Sequence, residues 1–277
     1  MLDLRTLQMR MLRVLEALDA TCKSHGIRYG IYAGTLIGAV REKGFIPWDD
    51  DVDVIMPRPD YERFIAHSRE WLPAPYEFVC AENDPMYPLP FGKVQDASTT
   101  LIERFHLSYL GGIYVDVFPV DGMPDNIVHR WWKTQCYRYL TRALYLVHRD
   151  PYRHGHGISS WVPLLLRRVT TMGDIQRRIR RLLISTDYAK ASWTLEYTAR
   201  FRGIMPKDVE DNFAPIMFEG KSVMGIRDYD TYLSQVFGDY MTPPEVEKRH
   251  VHNFDYCDLD HPYREYVNKG DIPTKKE

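Results

Sequence analysis

Apolar residues at helical spacing open the chain. Leu4, Leu7, Met11, Leu15, Leu18 and Cys22 recur every three or four positions within Met1 to Gly26, separated by Arg5, Arg10, Arg13, Glu16 and Asp19. This pattern predicts one amphipathic helix. Its charged interruptions exclude a secretory signal, whose apolar stretch is continuous. A further helix is expected over Pro59 to Trp71, buried through Tyr61, Phe64 and Ile65 and stopped by Pro73 and Pro75.

Between these helices the period changes. Ile27 to Ala33 reads as a short strand, Gly34 as a tight turn, and Thr35 as the N-cap of a helix running to about Lys43. Asp51-Val52-Asp53-Val54 then alternates and becomes continuously apolar through Ile55 and Met56, so it reads as a strand entering the interior and ending at Pro57. On a strand the side-chain period is two. Asp49, Asp51 and Asp53 are therefore expected on one face, with Asp50, Val52 and Val54 on the other. Tyr76 to Cys80 and Phe91 to Glu103 are the next strands, the second bent around Asp96 to Ser98. Gly111-Gly112 opens another over Ile113 to Val120, in which Tyr114, Asp116 and Phe118 share a face. Asp121 is assigned to the turn after Pro119.

From Asn126 to Arg149 the pattern is helical and rich in rings, including Trp131, Trp132, Tyr137, Tyr139 and Tyr145. Pro151 to Gly157 is a loop, whose His154 and His156 lack a second ligand cluster and are assigned to its surface. Trp161 to Ile184 mixes apolar residues with Arg167, Arg168, Arg177, Arg178, Arg180 and Arg181. Two readings stand for that stretch: a solvated helix face, or peripheral contact with an anionic membrane. Trp193 to Phe201 is expected to continue this helical lobe. Phe218 to Val223 suggests a hairpin, and Asp228 to Phe237 a helix with Tyr229, Leu233 and Phe237 inward; Pro243 to Arg249 and His252 wrap back on the core.

With 277 residues, 44% of them hydrophobic, the chain is long enough for one large core or a core plus a smaller lobe. A net charge of −2 gives no sign of a nucleic-acid partner. Cys22, Cys80, Cys136 and Cys257 have neither metal-site spacing nor the density of a disulfide scaffold, and fit reduced thiols in a cytoplasmic protein. No stretch has the length of a membrane span.

The candidate chemistry lies in the acidic strand. Three carboxylates on one edge of a buried sheet repel one another and are costly to desolvate, so they call for a cation, and Mg2+ suits all-oxygen ligands that also hold a phosphorylated substrate. The alternative, a solvated acidic turn, accounts for Asp49 and Asp50 but not for Asp53 between Val52 and Val54. Asp116 lies in an equally apolar run, where a metal-ligand role explains its burial and its spacing together. The turn at Gly34-Thr35 is either an ordinary strand-to-helix connection or an anion site at a helix N-terminus. Lys93, on a strand beside the carboxylates, either pairs with them, reaches a phosphate or is solvated.

The run from Gly34 to Val54 closely resembles the signature of the LicD phosphotransferases, members of the nucleotidyltransferase superfamily related to the fukutin-type phosphotransferases. That superfamily pairs a Gly-Ser/Thr turn with an acid-x-acid strand and a third carboxylate on a later strand. Asp51 and Asp53 match the pair, and Asp116 within Gly112 to Pro119 matches the third. The resemblance extends over Lys93 to Thr100 and, near the end, over Phe237 to Met241, Pro243-Pro244, Arg249 and His252. It is weak between roughly Asp125 and Arg202.

This resemblance implies an α/β fold, a nucleotidyltransferase-like mixed sheet flanked by helices in a single catalytic domain over 1–277, with a helical insertion at 125–204. It implies Asp51, Asp53 and Asp116 as catalytic residues that hold Mg2+ (or Mn2+) together with Asp49. Gly34, Thr35, Arg41, Lys93, Arg249 and His252 are the implied donor-binding positions. The implied reaction moves a phospho-head group from a CDP-activated donor, CDP-choline foremost, to a sugar hydroxyl of a cell-surface glycan or its lipid-linked precursor at the inner face of the membrane, and releases CMP. Glycerol and ribitol donors also occur in the family. Two rivals are a nucleotidyltransferase proper, which releases pyrophosphate, and a non-catalytic metal- or nucleotide-binding module. For a choline head group a cage of rings is expected, with at least one of Trp131, Trp132, Tyr137, Tyr139, Tyr145 and Trp193 lining the site.

Overall fold

The computed structural model describes residues 3–105, 109–153, 155–249 and 254–269. Its first element is the predicted amphipathic helix, α1 (Leu4–His25). Asp3 caps it by accepting the Thr6 N–H, and Gly26 ends it at φ 60°. Leu7, Met11, Leu15, Leu18 and Cys22 are all buried against the central sheet, each leucine stabilising the fold by about 1.5–3 kcal/mol. Then come β1 (Gly30–Ile31), α2 (Ala33–Arg41), β2 (Asp53–Pro57), α3 (Arg58–Trp71), β3 (Tyr76–Val79), β4 (Gly92–Ile102) and β5 (Gly111–Met123). The bend expected in β4 is a register shift between Asp96 and Leu101.

The helical lobe comprises α4 (Ile127–His148), α5 (Ile158–Val169) and α6 (Met172–Leu183). It has a core of its own, in which Tyr137, Leu144, Val147, Ile175, Ile179 and Leu183 meet. Helical character does not continue through Trp193 to Phe201 as expected. Trp193–Leu195 is a strand, β6, antiparallel to Asp121–Met123 of β5, and a 3-10 turn, Tyr197–Gly203, follows. The reason is tertiary: β5 runs on past the main core and needs a hydrogen-bonding partner there. For the same reason Asp121 is not a turn residue. It lies in β5, buried, and pairs both carboxylate oxygens with the Arg58 guanidinium at 2.7 Å.

The chain returns through β7 (Met205–Pro206), α7 (Lys207–Glu210), the hairpin β8 (Phe213–Phe218) and β9 (Lys221–Ile226), α8 (Tyr229–Phe237), β10 (Tyr256–Asp258) and α9 (Tyr263–Lys269). The hairpin turns on Glu219 and Gly220, both at positive φ, which matches strand twist. On α8 the inward residues are Tyr232 and Leu233, whereas Tyr229 and Phe237 are exposed, because Tyr232 stacks on Tyr32 at 4.6 Å.

Among the described residues the strands form one mixed sheet in the order β10-β4-β5-β2-β1-β9-β8. β3 also pairs with β4, and β6 and β7 extend from β5. The β2–β5 and β1–β9 pairs are parallel. The expected architecture, a mixed sheet flanked by helices, is the one observed.

Candidate active site

The central parallel pair sets the site. Asp53 is opposite Asp116 in the β2–β5 register, and the Asp116 N–H donates to the Val52 carbonyl at 2.8 Å. Asp53 is pinned from its other side as well. Its N–H donates to the Thr35 hydroxyl at 2.9 Å, and its carbonyl accepts the Tyr32 N–H at 2.9 Å. Thr35 is therefore not the N-cap of α2; that position belongs to Tyr32, and Gly34 and Thr35 lie in the first helical turn. The buried Thr35 hydroxyl orients Asp53 instead.

A cavity of about 440 Å³ opens at this end of the strands, within the range of small-molecule sites. Ala33 and Gly34 of α2, Asp49, Asp50, Asp51, Asp53 and Asp116 line its polar side. The predicted alternation fails at Asp50, which also faces the cavity, because β2 begins only at Asp53 and the preceding residues turn. Gln8 of α1 holds that turn, its Nε2 donating to the Asp49 carbonyl at 2.9 Å. A Cβ on Gly34 would lie 2.8 Å from Asp49 Oδ2, so a side chain there would collide with the carboxylate. Ala33 sits at φ 44°, an uncommon conformation for alanine, where the chain enters α2 at the cavity wall.

Electrostatics follow from this crowding. Burial, then the charges of Asp51, Asp116 and Asp49, push the Asp53 carboxyl well above its usual range. Burial also raises Asp116, to about 7, against the opposing pull of Lys93. Lys93 is buried, with Nζ 3.2 Å from Asp116 Oδ1, 2.5 Å from Glu103 Oε1 and 3.1 Å from the centre of the Tyr114 ring. It stands behind Asp116, paired with carboxylates. Asp116 Oδ1 is buried, with the Lys93 ammonium as its neighbour.

Among the described residues no three acidic, histidine or cysteine side chains form a ready-made metal cage. That fits an ion held by one or two carboxylates and substrate phosphates rather than by a closed protein shell. The all-oxygen donor set and the crowded like charges suit a hard cation.

Other sequence-selected residues lie further out. Arg41, at the end of α2, donates from Nη1 to the Tyr240 carbonyl at 2.9 Å and from Nε to Glu42 at 2.7 Å. The Arg249 guanidinium stacks 4.0 Å over Trp48, next to Asp49 in sequence. His252 lies outside the described residues.

None of the six rings expected for a choline cage lines this cavity. Trp131, Trp132 and Tyr139 are exposed, and Trp193 packs under the Arg130 guanidinium at 4.0 Å. The rings beside the carboxylates are Tyr114, Phe118 and Phe254. Tyr114 and Phe118 were legible as the face shared with Asp116; Phe254 carried no signal. Glu196 also escaped notice. It is buried, accepts from the Thr198 and Ala199 N–H groups, is raised to about 7 chiefly by burial, and adds its charge to those acting on Asp53. An acid within Trp193 to Tyr197 was the available clue.

Gly34-Thr35 in the first turn of α2, an Asp-x-Asp leading into the adjoining strand and an aspartate in register on the next strand form the arrangement expected of a nucleotidyltransferase-like site. Residues 26–146 match the LicD/FKTN/FKRP nucleotidyltransferase domain. Over 266 residues, 91% of this chain and 96% of the relative, it is 29% identical to the lipopolysaccharide cholinephosphotransferase LicD of Haemophilus influenzae. These two matches class it as a LicD-type transferase.

Proposed function

We propose that the protein transfers phosphocholine from CDP-choline to a sugar hydroxyl of lipopolysaccharide or its lipid-linked precursor, with release of CMP. The observation that carries this reading is the Asp53–Asp116 register beside Asp51, in a chain similar along most of its length to a lipopolysaccharide cholinephosphotransferase.

Asp51, Asp53 and Asp116, assisted by Asp49, are the residues that would hold Mg2+ or Mn2+. Bound there, the ion would neutralise the donor diphosphate and stabilise the charge that develops on in-line displacement. The remaining work falls to the chain itself. The first turn of α2, where Ala33 and Gly34 line the cavity, would meet phosphate oxygens of the donor. The acceptor oxygen attacks the phosphorus that bears choline, the bond to the bridging oxygen breaks, and CMP leaves with the electron pair. Asp116 either holds the ion or, if the ion rests on Asp51 and Asp53 alone, stands where a base could take the hydroxyl proton. Phe118 and Phe254 line the cavity as rings that could meet a trimethylammonium group, which has no N–H to donate.

Contact with a lipid-borne acceptor falls to α5. Trp161, Leu165 and Val169 are 71%, 64% and 72% exposed at a spacing of four, and the helix has two arginines and no acid. Such a stripe suits an anionic membrane surface.

Identifying the released nucleotide tests the reaction. CMP from CDP-choline in the presence of acceptor is expected. Consumption of a nucleoside triphosphate with release of pyrophosphate, CDP-choline staying inert, would overturn the reading in favour of a nucleotidyltransferase proper.

A further inference from the structure

The helical lobe carries a second concavity, of about 930 Å³, that the chemistry above leaves unused. Arg138, Arg142 and Arg149 from α4 and its C-terminal cap line it, with Arg200 from the turn after β6. Tyr139 and Tyr145 stand beside them, and Tyr137 and Tyr197, 4.6 Å apart, form its inner wall. No acidic side chain lines the groove. Among the described residues none of the four arginines is ion-paired with a carboxylate.

Two features mark this as a built site. Arg149 is only 7% exposed; its Nη2 donates to the Ser159 carbonyl at 3.3 Å, but its Nε has no hydrogen-bond partner. A buried guanidinium without a counter-ion is costly, and an anion relieves the cost. Arg200 adopts φ 60°, ψ −156°, a region that belongs essentially to glycine, at a cost of roughly 1–3 kcal/mol. The fold keeps a strained arginine at the groove wall where glycine would be relaxed.

The groove adjoins the carboxylate cavity. Pro90 lines the groove, and the next residue, Phe91, packs at 4.3 Å on Phe118 of the cavity wall. On the other flank Thr198 lines the groove and bonds to Glu196, whose charge reaches Asp53.

We propose that this groove binds an anionic saccharide, a sugar chain bearing phosphate or carboxylate groups, as the acceptor subsite. Guanidinium forks match phosphate and carboxylate oxygens in pairs, and tyrosine rings offer apolar faces and hydroxyls to sugars. The word acceptor rests on the transferase reading; the anionic preference rests on the groove alone.

The test is calorimetric titration of the full chain with three probes: a glucosamine disaccharide bearing one phosphate monoester, its uronate counterpart and the neutral parent. Thermal midpoints verify folding of the exposed Arg138→Gln/Arg142→Gln double variant. The phosphorylated probe is expected to bind about tenfold or more tightly than the neutral one, and the double variant to lose about tenfold or more of that affinity. Saturating CMP should leave the binding in place. The uronate arm separates phosphate from carboxylate as the group recognised. Equal binding of all three probes, an unaffected double variant, or displacement by CMP would overturn the proposal, the last because the groove would then hold the donor nucleotide. Because binding is read without turnover, a chain that binds the phosphorylated probe yet transfers no phosphocholine contradicts the transferase reading alone. A double variant that transfers at the wild-type acceptor KM contradicts the groove alone.

Discussion

Asp53 and Asp116 stand directly opposite each other on two parallel strands, and the backbone at both ends of Asp53 is tied down by Tyr32 and Thr35. Burial raises both carboxyls; the charges of Asp51, Asp116 and Asp49 add to it at Asp53, and those of Glu103 and Asp51 at Asp116. A cation relieves the repulsion, so metal binding and catalysis draw on the same geometry.

The first prediction concerns that pair. Asp53→Asn and Asp116→Asn should each lower transfer about a hundredfold or more. Metal-free Asp53→Asn should melt no lower than the wild type, since the charges acting on Asp53 are all acidic. Mg2+ should raise the melting point of the wild type but not of Asp53→Asn. A variant that keeps full activity, or activity in excess chelator, contradicts the metal mechanism.

Lys93 gives a second prediction. Its charge pulls the Asp116 carboxyl down, so Lys93→Gln should let Asp116 rise further. The acid limb of the kcat/KM profile should then move to higher pH by about one unit. Lys93→Arg should largely restore the limb. An unmoved limb in Lys93→Gln would show that Lys93 does not act through Asp116.

Buried Glu210 makes stability depend on pH. Burial raises its carboxyl from 4.5 to about 8, and it accepts the Thr194 hydroxyl at 2.8 Å. Between those values the folded chain keeps a proton that the unfolded chain has lost. This contribution is therefore present in full below about 4.5 and is lost as pH rises through about 8. Glu210→Gln, which stays neutral, should flatten the fall in denaturation midpoint across that window. Identical slopes for variant and wild type would contradict the assignment.

On α5, replacing Trp161, Leu165 and Val169 by serine should abolish sedimentation with vesicles rich in anionic lipid while leaving the fold intact, because all three side chains are exposed. Raised salt should weaken the wild-type interaction. Equal sedimentation of the triple variant and the wild type would remove α5 from the membrane contact.

Local pattern made much of this structure legible. The spacing of Leu7 to Cys22 foretold α1, and the apolar run with one acid foretold both β5 and the position of Asp116 on the face of Tyr114 and Phe118. What escaped depends on distant partners. Thr35 reads as a cap until Asp53, 18 residues on, supplies an N–H for its hydroxyl. Trp193 to Leu195 reads as helix until the far end of β5 claims it as a strand. Asp121 reads as a turn until Arg58 is seen beside it. Counting rings in the helical lobe likewise said nothing of which rings converge, and those at the carboxylates come from β5 and from Phe254 instead.

The most direct test follows the transferred phosphorus. CDP-choline labelled on the choline-bearing phosphate is incubated with the protein, Mg2+ and lipopolysaccharide, and the label is traced by mass. The label should appear on the glycan together with choline, with unlabelled CMP released and nothing transferred when chelator is in excess. Label retained in a nucleotide product, or transfer undiminished in Asp53→Asn, would contradict phosphocholine transfer at the paired carboxylates.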